Sequence, residues 1–209
     1  PARLATRDID RLRGVVRPLA PLRPQQALFD GGGPRGTLYI VRAGCLRISV
    51  REMTGEEAVV DFLLPGDVTG FGTGIGSLQG TRAIALERSN VCSVHCADLH
   101  GLATRVPGLQ EQLYALLDRT MVHHGHHVLM MGRRTATQRL ALFLLTWSRR
   151  RRAAGFCGTD LALPMRREDL ASYLGLVTET ASRAVSRLQS NGLIEVCGRQ
   201  RIRLLDGAG

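Results

Sequence analysis

The chain has 209 residues, a net charge of +10 and 44% apolar content, which allows one or two globular domains with a real core. All 28 basic residues are arginine, which excludes a lysine-bearing phosphate loop and Schiff-base chemistry on a lysine. No apolar run approaches the roughly 20 residues of a membrane-spanning helix.

The charge is uneven along the chain. Residues 1–132 carry 14 Arg against 12 acids, whereas residues 133–209 carry 14 Arg against 6. A basic C-terminal third suits a polyanion, of which nucleic acid is the commonest. Cysteines stand at 45, 92, 96, 157 and 197. Their odd number and irregular spacing do not suggest a secreted disulfide framework, so a cytoplasmic location is expected. No signal peptide is visible. The chain begins at Pro1 without an initiator Met, and a longer natural N-terminus is expected.

In chain order, "ATRDIDRLRGVV" predicts a short amphipathic helix that the prolines at 18, 21 and 24 end. From 37 to about 98 the pattern is strand-like. "TLYIVRAGCLRISV" forms two β-rich runs broken by Gly44, which predicts a hairpin. Further strand-like runs with Gly and Pro punctuation predict a small barrel or β-roll. "GFGTGIG" (70–76) does not fit G-x-G-x-x-G and has no βαβ unit around it, so it is read as a β-roll turn.

The period changes near 109. Tyr114, Leu117, Met121, His124, Val128 and Met131 recur alternately three and four apart. This heptad-like stripe predicts a helix–helix seam. "ATQRLALFLLTWSRRRR" predicts a further helix, and "AAGFCGTD" a loop.

Leu170, Ala171 and Leu174 then lead to Gly175, where the chain must turn. A second helix follows to about Asn191, with Gly192 at its C-terminal cap. Ala181, Val185 and Leu188 share one face; Glu179, Ser182, Arg183, Ser186 and Arg187 share the other. Two short helices around a tight glycine turn predict a helix-turn-helix whose second helix enters the DNA major groove. Arg can bond both N7 and O6 of guanine, Glu can accept from the cytosine amino group, and Ser can bond a base edge. Glu179, Ser182 and Arg183 are therefore the candidate base readers. Arg166, Arg167, Thr178, Thr180, Arg187 and Arg199 are candidate phosphate contacts. "LIEVCGRQRIRLL" predicts a wing with Gly198 at its turn and Arg199 and Arg201 near the tip.

With these residues in place, the sequence resembles the Crp-Fnr family of bacterial transcription regulators. "LYIVRAGCLRISV", "DFLLPGDVTGF", "RLALFLLTWSRR" and "LASYLGLVTETASRAVSRLQSNGLIEV" carry the resemblance over nearly the whole chain. Glu179-x-x-Ser182-Arg183 is similar to the recognition triad of the Fnr branch. The resemblance implies an α+β chain. A β-roll sensor would occupy 1–108, a dimerisation helix 109–135 and a winged helix-turn-helix 136–209. It also implies a homodimer that binds a TTGAT…ATCAA palindrome in double-stranded DNA and contacts RNA polymerase, with no enzymatic activity and no membrane association. One departure matters. The family has Thr at the cap of the recognition helix, where this chain has Val177 before Thr178. Either the helix starts one residue later, or a side-chain cap worth about 1 kcal/mol is absent.

Three sensing chemistries compete. Cyclic nucleotide is disfavoured: the family's cyclic-AMP branch carries Gly-Glu and Arg-Ser pairs where this chain has Gly70-Phe71 and Arg82-Ala83, so a ribose hydroxyl would lack its carboxylate. An oxygen-sensing [4Fe–4S] cluster needs four thiolates. Cys92, in "ALERSNVC", matches the Fnr branch's internal ligand, with the other three expected upstream of Pro1. The chain as given is expected to hold no cluster by itself, and Cys45, Cys96, Cys157 and Cys197 are expected to be structural. Thirdly, His123 and His127 in "HHGHH" have an i,i+4 spacing that can hold zinc, but lack a third ligand and are read as seam and flank residues. A cluster-free regulator with small-molecule or thiol-based sensing, and a β-roll metal- or ligand-binding enzyme, are the alternatives.

Overall fold

Period-two alternation builds strands in the first half of the chain, and three-to-four spacing builds helices in the second. The structure, a computed structural model, describes residues 6–31, 34–51, 55–70, 80–106, 108–132 and 134–205. Residues 71–76 of the glycine-rich run lie outside them. Helix α1 (Thr6–Val15) leads into β1 (Arg17–Pro18) and β2 (Ala27–Phe29). Strands β3 (Thr37–Ala43), β4 (Leu46–Arg51), β5 (Glu57–Leu63), β6 (Val68–Thr69), β7 (Thr81–Ala85) and β8 (Asn90–His95) follow. Among the described residues they form two sheets ordered β1-β8-β3-β6 and β2-β7-β4-β5, with antiparallel pairing throughout. Leu22, Phe29, Val41, Leu46, Ile48 and Val91 fill the core between them.

The hairpin expected at Gly44 does not form. β3 pairs with β6 and β8, whereas β4 pairs with β5 and β7, so the two strands lie in different sheets. Gly44 turns the corner of the roll at φ +85°, where a Cβ would collide with Ser89. A glycine between two β-rich runs suits a corner as well as a hairpin, and closure of the roll decides between them.

Helix α2 (Cys96–Ala103) ends the roll, and α3 (Leu109–Met131) leaves it. Helix α4 (Ala136–Ala153) starts in a capping box: Gln138 N donates to Thr135 Oγ1 at 3.3 Å, and Thr135 N donates to Gln138 Oε1 at 3.0 Å. Next come β9 (Asp160–Ala162), α5 (Arg167–Tyr173), α6 (Thr178–Ser190), β10 (Ile194–Val196) and β11 (Arg201–Leu204). The wing is three-stranded, ordered β10-β11-β9, because β9 joins the expected pair. No helix among the described residues is long and apolar enough to cross a membrane.

A second apolar core joins the roll to the helices. Cys45, Val59, Phe62, Leu64 and Leu86 from the roll pack in one cluster with Phe143, Trp147, Leu170, Tyr173 and Leu174. The Phe62 ring meets Tyr173 at 5.2 Å, and Phe143 and Trp147 edge-on at 6.2 Å. Burial of each such aromatic or Leu side chain stabilises by roughly 1.5–3 kcal/mol. The outer face of β5 is therefore the seat on which α5 rests.

Candidate DNA interface

Arg166 precedes α5, and its backbone N–H donates to Asp169 Oδ2 at 3.1 Å, half of a capping box. The chain leaves α5 with Leu176 N donating to Ala171 O at 2.9 Å. Gly175 sits in this turn at φ +60°, a conformation that side-chain-bearing residues rarely adopt. Helix α6 begins at Thr178 with Val177 as its N-cap residue, and no side chain caps it. This settles the question the sequence left open: the side-chain cap is absent. The C-terminus is a Schellman motif, with Leu193 N donating to Leu188 O and Gly192 N to Gln189 O.

Ala181, Ala184, Val185 and Leu188 bury one face of α6 against α4 and α5. Glu179, Ser182 and Arg183 are exposed on the other, with Ser186 and Arg187. Glu179 and Arg183 form no ion pair with each other among the described residues, so the charged tips of this face remain free for an outside partner. Thr178 is exposed and Thr180 half-buried on the same first turn. Arg166, Arg167, Arg199 and Arg201 line one shallow cleft between the start of α5 and the wing. Arg201 is paired with Asp160 at 3.0 Å, whereas Arg199 is exposed at the tip beside Gly198.

The expected seam residues divide into two groups. Tyr114, Leu117, Met121 and Val128 are exposed apolar residues, with Met121 72% and Val128 70% accessible, and His124 is exposed among them. Val122 and Leu129, which the stripe did not include, widen this bare surface. Met131 departs from the expectation. It is half-buried, and its methyl group lies where a Cβ on Gly175 would fall. Arg139 ties the two ends together: Nη2 donates to Met131 O and Nη1 to Leu174 O, both at 3.0 Å. One guanidinium thus caps the C-terminal carbonyls of α3 and α5.

The "HHGHH" histidines also divide, against the seam-and-flank reading. His123 Nε2 donates to Asp61 Oδ1 on β5 at 3.0 Å, and His127 Nε2 donates to Tyr173 O at 2.8 Å while stacking on the Tyr173 ring at 4.2 Å. Both face the chain's own body. No group of three metal-binding side chains exists among the described residues. Arg150 on α4 completes a buried cluster, donating to Phe62 O at 2.8 Å and Asp67 Oδ2 at 2.6 Å, with Asp61 at 3.8 Å. Burial pushes the Asp61 carboxyl up. The hydrogen bond from His123 and the charge of Arg150 outweigh it and hold the group below the usual carboxylate range.

Further ties between roll and helix-turn-helix were not legible in the sequence. Arg47 on β4 pairs with Asp169, and with Glu57 at 3.1 Å. Ser172 Oγ accepts from Val59 N at 2.9 Å. The only forewarning was Asp169 three residues after Arg166, a spacing that marks a helix start.

On the sensor side, Arg82 is held by Asp30 at 3.1 Å and Glu57 at 3.2 Å. A phosphate would have to compete with two carboxylates for it. Cys92 is buried on β8, opposite Ile40 and Pro18, and lines a cavity of about 430 Å3 with Arg13, Val16, Leu19 and Arg42. The described residues supply this one thiolate and no complete donor set, so by themselves they do not fit an iron–sulfur cluster. Cys45 is fully buried, as a structural cysteine should be. Cys96 and Cys157 are exposed instead, and hydrogen bonds from the Thr159 hydroxyl and the Asp160 N–H lower the Cys157 thiol to about 7.

Residues 138–209 match the model of a Crp-like helix-turn-helix domain, and residues 20–105 that of a cyclic nucleotide-binding domain. The transcriptional activator protein FnrA of Stutzerimonas stutzeri is 34% identical over 100% of this chain and 85% of its own length. An anaerobic regulatory protein of Pasteurella multocida is 34% identical over 95% of this chain and 73% of its own. Among solved structures, FixK2 from Bradyrhizobium japonicum superposes with a TM-score of 0.79 at 30% identity, covering 93% of this chain and 99% of that one. The roll, the long helix and the helix-turn-helix superpose together on the solved structure, and the chain belongs to the Crp-Fnr family of DNA-binding transcription regulators.

Proposed function

We propose that two copies of this chain, joined along α3, bind a TTGAT…ATCAA palindrome and activate transcription in contact with RNA polymerase. The observation that carries this reading is the free polar face of α6. Glu179, Ser182 and Arg183 stand exposed on its leading turn while the opposite face is buried. Arg183 is suited to guanine, Glu179 to the cytosine amino group, and Ser182 to a base edge. Arg166, Arg167, Thr178, Thr180, Arg187 and Arg199 serve the phosphates and set the register. The uncapped first turn adds open backbone N–H groups suited to a phosphate oxygen. Gel-shift titration against the palindrome tests the reading. Arg183→Ala should cost roughly 1–3 kcal/mol on that site and relax the preference at one base pair; binding like the parent's overturns the role of Arg183.

The intact protein responds, in this reading, to oxygen or redox state through a [4Fe–4S] cluster. Cys92 supplies one thiolate and three cysteines upstream of Pro1 the others. The relatives named for anaerobic regulation support this reading, and Arg13 and Arg42 beside Cys92 suit an anionic group. The codons upstream of Pro1 test it first. Anaerobically purified full-length protein should then show the visible absorption of a cluster, and Cys92→Ala should abolish it. Absence of the upstream cysteines overturns the cluster and leaves a cluster-free regulator.

A further inference from the structure

A cavity of about 220 Å3 opens at the elbow between α3 and α4, away from the interior of the roll and from the DNA-facing side of α6. Its apolar wall includes Phe143, Trp147 and Tyr173 beside Leu129, Met130 and Leu142, with Phe143 stacked on Trp147 at 5.7 Å. Arg134, Arg149 and His126 stand around its mouth, all exposed. No carboxylate lines it. The other cation, Arg150, is already paired with Asp67 and Asp61. Arg134 and Arg149 have no carboxylate partner among the described residues. Tyr173, only 5% exposed, stacks on His127 at 4.2 Å beside it. A void with an apolar lining, rimmed by guanidinium groups without a carboxylate partner among the described residues, suits an anion with an apolar body.

We propose that this cavity binds a small aromatic carboxylate. The volume is below the roughly 300–1,000 Å3 of drug-sized sites, which restricts the occupant to about one ring. The ring lies against Phe143 and Trp147, where flat apolar bodies gain offset or edge contacts. The carboxylate meets Arg134 and Arg149, which offer the forked donors that suit it. An uncharged ring would leave the guanidinium groups unanswered, and a small aliphatic acid would make fewer contacts with the apolar lining. A ligand so placed touches α3, α4 and the last residue of α5 at once.

Trp147 is the chain's one tryptophan and lines the cavity, so its fluorescence is the single indole signal. Benzoate is the probe, with benzamide as its neutral isostere and acetate as the anion without a ring. We expect benzoate to change Trp147 emission saturably, and benzamide and acetate to bind at least about tenfold more weakly. The double variant Arg134→Gln/Arg149→Gln should weaken benzoate about tenfold with an unchanged melting temperature, because both side chains are exposed. Thr146→Phe, which fills the cavity from α4, should abolish the response while retaining the parent's circular dichroism. No saturable change up to tens of millimolar benzoate, equal binding of benzamide, or undiminished binding by the double variant overturns the proposal.

Discussion

Helices α3 and α6 are both two-faced, yet they leave opposite kinds of surface in water. The exposed side of α6 is Glu179, Ser182, Arg183, Ser186 and Arg187, while its apolar side is satisfied within the chain. In α3 the covered side includes His123 and His127, bonded to the chain's own body, and the bare side is Tyr114, Leu117, Met121 and Val128. A charged, hydrated face can wait in water for a polyanion. A long apolar stripe left in water marks an interaction surface. The two helices therefore suit different kinds of partner, a polyanion for one and an apolar surface for the other, which in the proposed function are a duplex and a second copy of the chain.

The comparison can be broken most severely from the inner side of α3. Asp61→Asn removes the negative charge that faces His123 and Arg150, leaving Asp67 as the one carboxylate paired with Arg150 among the described residues, and should cost about 2–3 kcal/mol in urea unfolding. The same group gives a pH dependence. Its carboxyl is held below its unfolded value of roughly 4, so its stabilisation is complete above about pH 4 and is lost as pH falls through the lower folded value. The acid limb of a stability–pH curve should flatten in Asp61→Asn. An unchanged limb would remove Asp61 from the account.

On the outer side of α3, Met121→Glu places like charges at the seam. The dimer dissociation constant should rise about 100-fold by sedimentation, with the monomer's melting temperature little changed. Loss of monomer stability instead would mean that Met121 is needed within the chain. For α6, Val177→Thr supplies the missing cap and should add about 0.5–1 kcal/mol to thermal stability. The smallest expected effect belongs to His124, exposed among the expected seam residues. His124→Arg sets two fixed cations at the proposed seam and should weaken the dimer a few-fold. An unchanged dimer constant discards the idea.

The α6 half of this comparison was legible in the sequence because its information is local. Gly175, the spacing of Ala181, Val185 and Leu188, and the polar residues between them lie within about twenty positions. The strands were legible as strands, but not their pairing: nothing near Gly44 says that β3 and β4 belong to different sheets. The inner face of α3 was misread for a related reason. His123 meets Asp61 from 62 residues away, and only the folded chain brings them together. Met131 continued the heptad in sequence but lies where α3 already meets the turn at Gly175. Periodicity reports which side of a helix is apolar, not which neighbour covers it.

Arg139 makes any motion between the α3 rod and the helix-turn-helix a matter of steps. Two of its hydrogen bonds join carbonyls at the ends of α3 and α5, and such charge-assisted bonds weaken steeply when stretched or bent. A small tilt of the rod can be carried across intact; a larger one must let go of a carbonyl. The elbow is thus built to hold one of a few discrete settings, a latch more than a spring.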